Sequence, residues 1–198
     1  MERPLGRTES PRERKRRRTR ESIVAAALAL FAERGFDRVT VSDIADRAEV
    51  GRATFFRYFG DKQEVVFGAQ RVPGPQEVGR LVPPPERPLG DSLSAALAYL
   101  RRVVDALATA RTEDREAYLR HERLLAENPD LAARELTKQR DYAEAMARAL
   151  GDLGAERSVA VLAAELATAC YRSGRTQAGG APERLPALVD AAFARLLE

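Results

Sequence analysis

The sequence has one cysteine and one histidine in 198 residues. Cys170 alone makes neither an internal disulfide nor a cysteine-based metal site, and in its alanine-rich helix it reads as an inert buried thiol. His121 alone excludes a multi-histidine zinc site and argues against a histidine-based triad. There is no phosphate loop and no nucleophile motif, and the acidic residues are spread over solvated faces, so an enzyme fares badly among the function classes. No run of about 18 apolar residues occurs, which argues against a membrane span. The N-terminus lacks the apolar stretch of a secretory signal. These absences predict a cytoplasmic protein without metal, cofactor or membrane partner. Lysine is scarce too: 3 lysines stand against 30 arginines, a ratio better explained by GC-rich coding than by function.

What is present is ordinary for a globular chain, with 44% hydrophobic and 32% charged residues. The length allows one medium domain, or a small one and a larger one. The net charge of +3 is unevenly placed. Residues 1–20 carry nine basic side chains against three acids, so the remaining 178 residues sum to −3. A flexible basic arm over 1–20, with Arg14, Lys15, Arg16, Arg17 and Arg18 at its centre, points either to a polyanionic partner or to a solvated tail.

Helical periodicity organises the rest, and no segment alternates like a strand. Ser22–Arg34 forms a stripe from Ile23, Ala27, Leu30 and Phe31, stopped by Gly35 with Phe36 folding back. Thr40 caps a second helix, Val41–Ala48, with Asp43 at N3 and Val39 and Ile44 as the hydrophobic staple. A turn at Glu49–Gly51 leads to a third helix, Arg52–Phe59, and Asp61 caps a fourth, Lys62–Arg71. Six of the eleven prolines fall between Pro73 and Pro88, which predicts a linker over 72–90. Five alanine-rich helices follow over 91–198, capped at Asp91 or Ser92, at Thr112, at Asn128, after Gly154 and at Pro182. The expected fold is all-α, with about nine helices.

A capped helix, a short turn and a two-turn helix form a helix-turn-helix pattern, whose second helix enters the major groove of DNA. In the third helix Phe55 and Phe59 share an inward face. Arg52, Ala53, Phe56 and Arg57 lie on the opposite one, flanked by the hydroxyls of Thr54 and Tyr58. Arg52 at N1 opposes the helix dipole and suits bidentate contact with guanine.

Within residues 20–62, the stretch FAERGFDRVTVSDIADRAEVGRATFFRYFGDK resembles the N-terminal domain of the TetR family of bacterial repressors. The shared pattern is a helix ending in Glu-Arg-Gly-aromatic, then Thr-x-x-x-Ile-Ala, then a Val-Ser-x-x-Thr-apolar-Tyr-x-His-Phe helix and a lysine. The TFFRYF segment is similar to a branch common in actinobacterial regulators. By position, the resemblance implies that Arg52 and Ala53 meet base edges and that Thr54, Arg57 and Tyr58 meet bases or backbone. It places Lys62 on a phosphate, with Thr40 and Ser42 at the start of the second helix. Three departures stand out. Phe56 replaces a tyrosine, leaving only apolar contact; Gly51 replaces a serine cap; and Glu49 occupies a common glycine position, straining the turn.

The resemblance further implies a ligand-responsive repressor that binds a palindromic operator as a homodimer and is released by a small-molecule inducer. The fourth helix would be the lever and the last two helices the dimer interface. Tyr99, Tyr118, His121, Tyr142, Met146 and Cys170, polar or adaptable groups on apolar helices, are the candidates for an effector pocket. A helical interaction module that merely retains the motif is the rival reading, and it would not need the basic arm, Arg52, Arg57 or Lys62.

Overall fold

Ser10 starts the first helix. In the computed structural model, which describes residues 10–70 and 72–197, Ser10 Oγ accepts from the Glu13 N–H at 3.2 Å. Glu13 Oε2 accepts in return from the Ser10 N–H at 2.8 Å, and Pro11 opens the helix. Helix α1 therefore spans Pro11–Arg34. Over 11–20 this corrects the expectation of a flexible arm, and the helix starts well before the expected Ser22. No glycine or proline interrupts residues 12–34, and arginine, lysine and glutamate are good helix formers. The packed stripe of Ile23, Ala27, Leu30 and Phe31 anchors the helix, which extends outward from it. Arg14, Lys15, Arg16, Arg17 and Arg18 lie on exposed turns of this extension, and Arg17 pairs with Glu21 at 3.2 Å. Residues 1–9 of the expected arm lie outside the described residues.

Three short helices pack on α1 or on one another: α2 (Val41–Arg47), α3 (Arg52–Tyr58) and α4 (Lys62–Gly68). Gly35 ends α1 at φ 80°, its N–H bonded to the Phe31 carbonyl at 2.9 Å, and the Phe36 ring returns to 5.0 Å from Phe31. Ile23, Leu30, Val39, Ile44, Phe55, Phe59 and Val65 form the buried centre. Each short helix is too brief to persist without that packing. Helix α4 stops before the expected Arg71, which itself lies outside the described residues. The Gly68 carbonyl accepts from Arg20 Nη2 at 2.7 Å, and a Cβ at Gly68 would come within 2.8 Å of both Arg20 and Phe59.

The chain divides into two compact units between Ala69 and Gln70. The second unit begins at Gln70 and takes in the whole of 72–90, so this segment belongs to a compact unit rather than standing as the expected linker. Residues 75–80 form a 3₁₀ helix against α7, capped by Glu77 on the Gly74 N–H at 2.8 Å. Val78 and Leu89 are buried. The Leu89 N–H donates to the Leu153 carbonyl at 3.1 Å, and a β-bridge joins Gly90 to Ala155. Apolar residues spaced among the prolines give this stretch something to bury, so it folds onto its unit.

Helices α5 (Leu93–Thr112), α6 (Arg115–Glu127), α7 (Pro129–Asp152), α8 (Arg157–Ala178) and α9 (Leu185–Leu197) complete it. Asp114, not Thr112, caps α6, with its carboxylate on the Ala117 N–H at 2.9 Å; Thr112 instead ends α5, donating back to the Ala108 carbonyl. Helix α8 packs against α5, α7 and α9. Its small residues Ala160, Ala163, Ala164 and Ala167 are buried, and Gly174 lets α9 approach so closely that a Cβ there would lie 2.6 Å from Val189. Among the described residues there are nine α-helices and no strand, and no helix is long and apolar enough to cross a membrane. The all-α expectation holds.

Candidate functional site

The first unit presents one face of α3. Phe55 and Phe59 are buried at i, i+4, so Arg52, Ala53, Phe56 and Arg57 are turned outward and exposed. Phe56 is 49% exposed, its ring set edge-on to Phe55 at 5.5 Å. Arg57 Nη2 lies 3.5 Å from Thr54 Oγ1, and its guanidinium stands 5.6 Å from the Tyr58 ring centre. These contacts hold Arg57 beside the half-buried Thr54 and Tyr58. Arg52 is exposed at the first position, next to Gly51, which caps without a side chain.

The residues leading into α3 are organised for capping. Thr40 Oγ1 accepts from the Asp43 N–H at 3.1 Å and donates to Asp43 Oδ2, so its hydroxyl is committed within α2. Hydrogen bonds from Thr40 hold the Asp43 carboxyl below its ordinary range. Ser42 is half-buried one position into the helix. Glu49 adopts φ 54°, the left-handed region, so the expected strain in the turn is present.

Lys62, expected on a phosphate, is engaged within the first unit. Its Nζ donates to the carbonyls of Phe36 at 3.0 Å, Asp37 at 3.3 Å and Val39 at 3.1 Å, and it lies 4.4 Å from the Phe36 ring centre. An ammonium has three donors, and all three are used inside the unit. The ammonium thus clamps the α1–α2 connection.

The six expected pocket residues lie in the second unit, five of them in its packed interior. Tyr99, Tyr118, His121, Met146 and Cys170 are buried, and Tyr142 is half-buried with its hydroxyl donating to the Pro73 carbonyl at 2.6 Å. Burial raises the Cys170 thiol and pushes the phenols of Tyr118 and Tyr142 up to about 12. Beside them runs a buried ion network. Glu135 Oε1 accepts from Arg111 at 3.3 Å and from Arg175 at 3.2 Å, and Arg175 also forks onto Glu122 at 2.9–3.1 Å. His121 Nε2 lies 3.8 Å from Glu135. Burial opposes ionisation of Glu135, but the pull of His121, Arg111 and Arg175 outweighs it and holds the carboxyl down at about 2. Burial lowers His121, leaving it neutral at pH 7.

An open cleft of about 650 Å³ adjoins this network, with α6, α7 and α8 as its walls. Arg175 and Glu122 belong to both cleft and network, whereas none of the six expected residues lines the cleft.

Residues 23–69 match the family model described as bacterial regulatory proteins, tetR family. The chain is 33% identical over 139 residues to the HTH-type transcriptional regulator TcmR of Streptomyces glaucescens, covering 69% of this chain and 61% of the relative. A putative mycofactocin biosynthesis transcriptional regulator, MftR of Mycobacterium tuberculosis, is 29% identical over 138 residues, covering 68% and 65%. The chain thus spans less than two thirds of the length of either. Among solved structures, SmeT, the repressor of the Stenotrophomonas maltophilia multidrug efflux pump SmeDEF, is 27% identical with a TM-score of 0.57, covering 91% of this chain and 90% of that one. A complex of SmeT with triclosan aligns with a TM-score of 0.56 and the same identity, covering 89% and 90%. This chain is a member of the TetR family.

For a TetR-family chain, the buried network is what reading the sequence missed, although a signal existed. Glu135 falls on the inward stripe of α7 with Leu131, Tyr142, Met146 and Leu150, and Arg111 continues that of α5 after Leu100, Val104 and Leu107. A charged residue at a stripe position predicts a buried partner of opposite sign. Nothing local marked Lys62, since its carbonyl partners lie 23–26 positions away.

Proposed function

We propose that the chain is a repressor that binds a two-fold symmetric DNA operator as a homodimer and leaves it when a small molecule occupies the second unit. The observation that carries this reading is the division of α3. Two buried aromatics fix the helix, and Arg52, Ala53, Phe56 and Arg57 are left facing outward at its surface. Arg52 supplies a fork for guanine and Phe56 an apolar surface for a thymine methyl, while Thr54, Arg57 and Tyr58 serve bases or backbone. Ser42 and the N-terminus of α2 approach phosphate, as does the basic extension of α1. The seven basic residues and one acid of residues 11–20 give that extension a charge of +6.

The second unit serves effector binding and dimerisation. Val161 and Leu162 on α8 and Leu196 on α9 expose apolar side chains that a second copy would cover. The triclosan complex of SmeT supports a small-molecule ligand for this unit. Site of action would be the cytoplasm, where the DNA is.

Fluorescence anisotropy against DNA flanking the protein's own gene tests the reading. Binding to an inverted repeat, two protomers per site and steeply weakened by salt, is expected. A folded dimer without sequence preference for any upstream region would sink it.

A further inference from the structure

The cleft between α6, α7 and α8 carries a charge that the buried network does not neutralise. Within the network, the guanidiniums of Arg111 and Arg175 face the carboxylates of Glu122 and Glu135, so the charges balance. Arg123 and Arg172 add two further cations to the cleft wall, and neither is ion-paired among the described residues. The same cleft is lined by apolar side chains too: Leu119 and Ala126 come from α6 and Leu136 from α7, the last 60% exposed. A leucine so exposed beside two unmatched guanidiniums fits a ligand that is apolar along one side and acidic at one end. A cation would be repelled, and a neutral ligand would leave both arginines without a counter-charge. The volume falls within the usual size of small-molecule sites.

We propose that this cleft binds an organic anion with an apolar skeleton, its acid group held by Arg123 and Arg172 and its skeleton lying on Leu119, Ala126 and Leu136. The inference rests on the second unit's being the effector-binding part of a regulator, and it names the chemistry of that effector. Guanidiniums match planar or tetrahedral oxyanions with paired, charge-assisted hydrogen bonds. Arg175 stands in the cleft wall while bonded to Glu122 and Glu135, so an acid group arriving there competes for a residue that ties α6, α7 and α8 together.

The test uses the full chain and two fluorescent probes with one aryl skeleton, anilinonaphthalene sulfonate and the uncharged phenylnaphthylamine. The sulfonate is expected to bind saturably, one per chain, and about tenfold or more tighter than the neutral probe. In the double variant Arg123→Gln, Arg172→Gln, sulfonate affinity falls by about tenfold or more while that of the neutral probe stays. Leu136→Glu, which keeps both arginines but adds a carboxylate to the cleft, weakens the sulfonate as well. Arg115→Gln, exposed and outside the cleft, changes neither probe. Equal affinity for the two probes, or a double variant that binds the sulfonate like the parent, would overturn the proposal. Operator binding is measured on the same preparations without probe. Its loss with the probe pattern intact defeats the repressor reading alone, and the reverse defeats the cleft alone.

Discussion

Lys62 and Phe36 are joined twice: the ammonium donates to the Phe36 carbonyl at 3.0 Å and sits 4.4 Å from the centre of the same residue's ring. Together with the Asp37 and Val39 carbonyls, this fixes the path of the chain as it leaves α1 and enters α2. The connection between α1 and α2 is therefore held by a side chain at the start of α4.

Lys62→Met keeps the length of the side chain and removes the donors. It is expected to destabilise the first unit by about 1.5–3 kcal/mol, read as a lower urea midpoint. The salt dependence of DNA binding should keep its slope. Unchanged stability with a slope reduced by about one would restore the phosphate role.

Glu49 holds a left-handed backbone at φ 54°. That conformation costs a side-chain-bearing residue roughly 1–2 kcal/mol, against about 0.5–1 kcal/mol of extra chain entropy for glycine. Glu49→Gly should therefore stabilise the protein by up to about 1 kcal/mol in urea titration. Glu49→Ala, which keeps the strain, should not.

His121 is the only histidine, so its titration can be isolated. Burial lowers its native pKa, and the unfolded chain therefore takes up the proton first. Stability is complete above about pH 6.5 and declines as pH falls toward the lowered native value. Urea unfolding at about pH 7.5 and about pH 5.5 should show this loss, and His121→Gln should flatten it. A parent whose stability does not change between the two would contradict the buried neutral imidazole.

Glu135→Gln leaves Arg111 and Arg175 facing an amide in a buried setting. Removing one partner of such a network costs about 3–5 kcal/mol. The parent itself should lose stability as pH falls from 4.5 toward about 2, the interval between the ordinary and native values of Glu135. The variant should lack that component in an acid titration followed by circular dichroism.

Arg52→Ala should relax base preference at one position of each half-site by about 1–3 kcal/mol while leaving affinity for unrelated DNA nearly unchanged. Competition anisotropy with single-base operator variants measures it. Uniform weakening across all sequences would make Arg52 a phosphate contact instead.

Much of the first unit was legible because its signals are local. The Thr40–Asp43 box, the Gly35 stop with Phe36 returning on Phe31, and the inward pair Phe55 and Phe59 all lie within five residues of their partners. What escaped reading depends on distant partners or on neighbours that outvote composition. Lys62 looked like a surface cation because its carbonyls are remote in sequence. Prolines disguised 72–90 as a linker, although Val78 and Leu89 are both buried in it. The basic run within 1–20 suggested a flexible arm, yet Ser10 and Glu13 satisfy the first amides and the helix runs on from Pro11.

That capping box has a thermodynamic consequence. Ordering the backbone of a residue costs roughly 1–2 kcal/mol of conformational entropy. A disordered basic arm meets this cost on its target, which subtracts from affinity and appears as an unfavourable binding entropy. Here the cost falls on folding, because residues 11–20 are already wound onto the end of α1. The segment acts as a rod of about 15 Å with fixed charge spacing. Its contribution to association should come mainly from released counterions, with little heat-capacity change of its own.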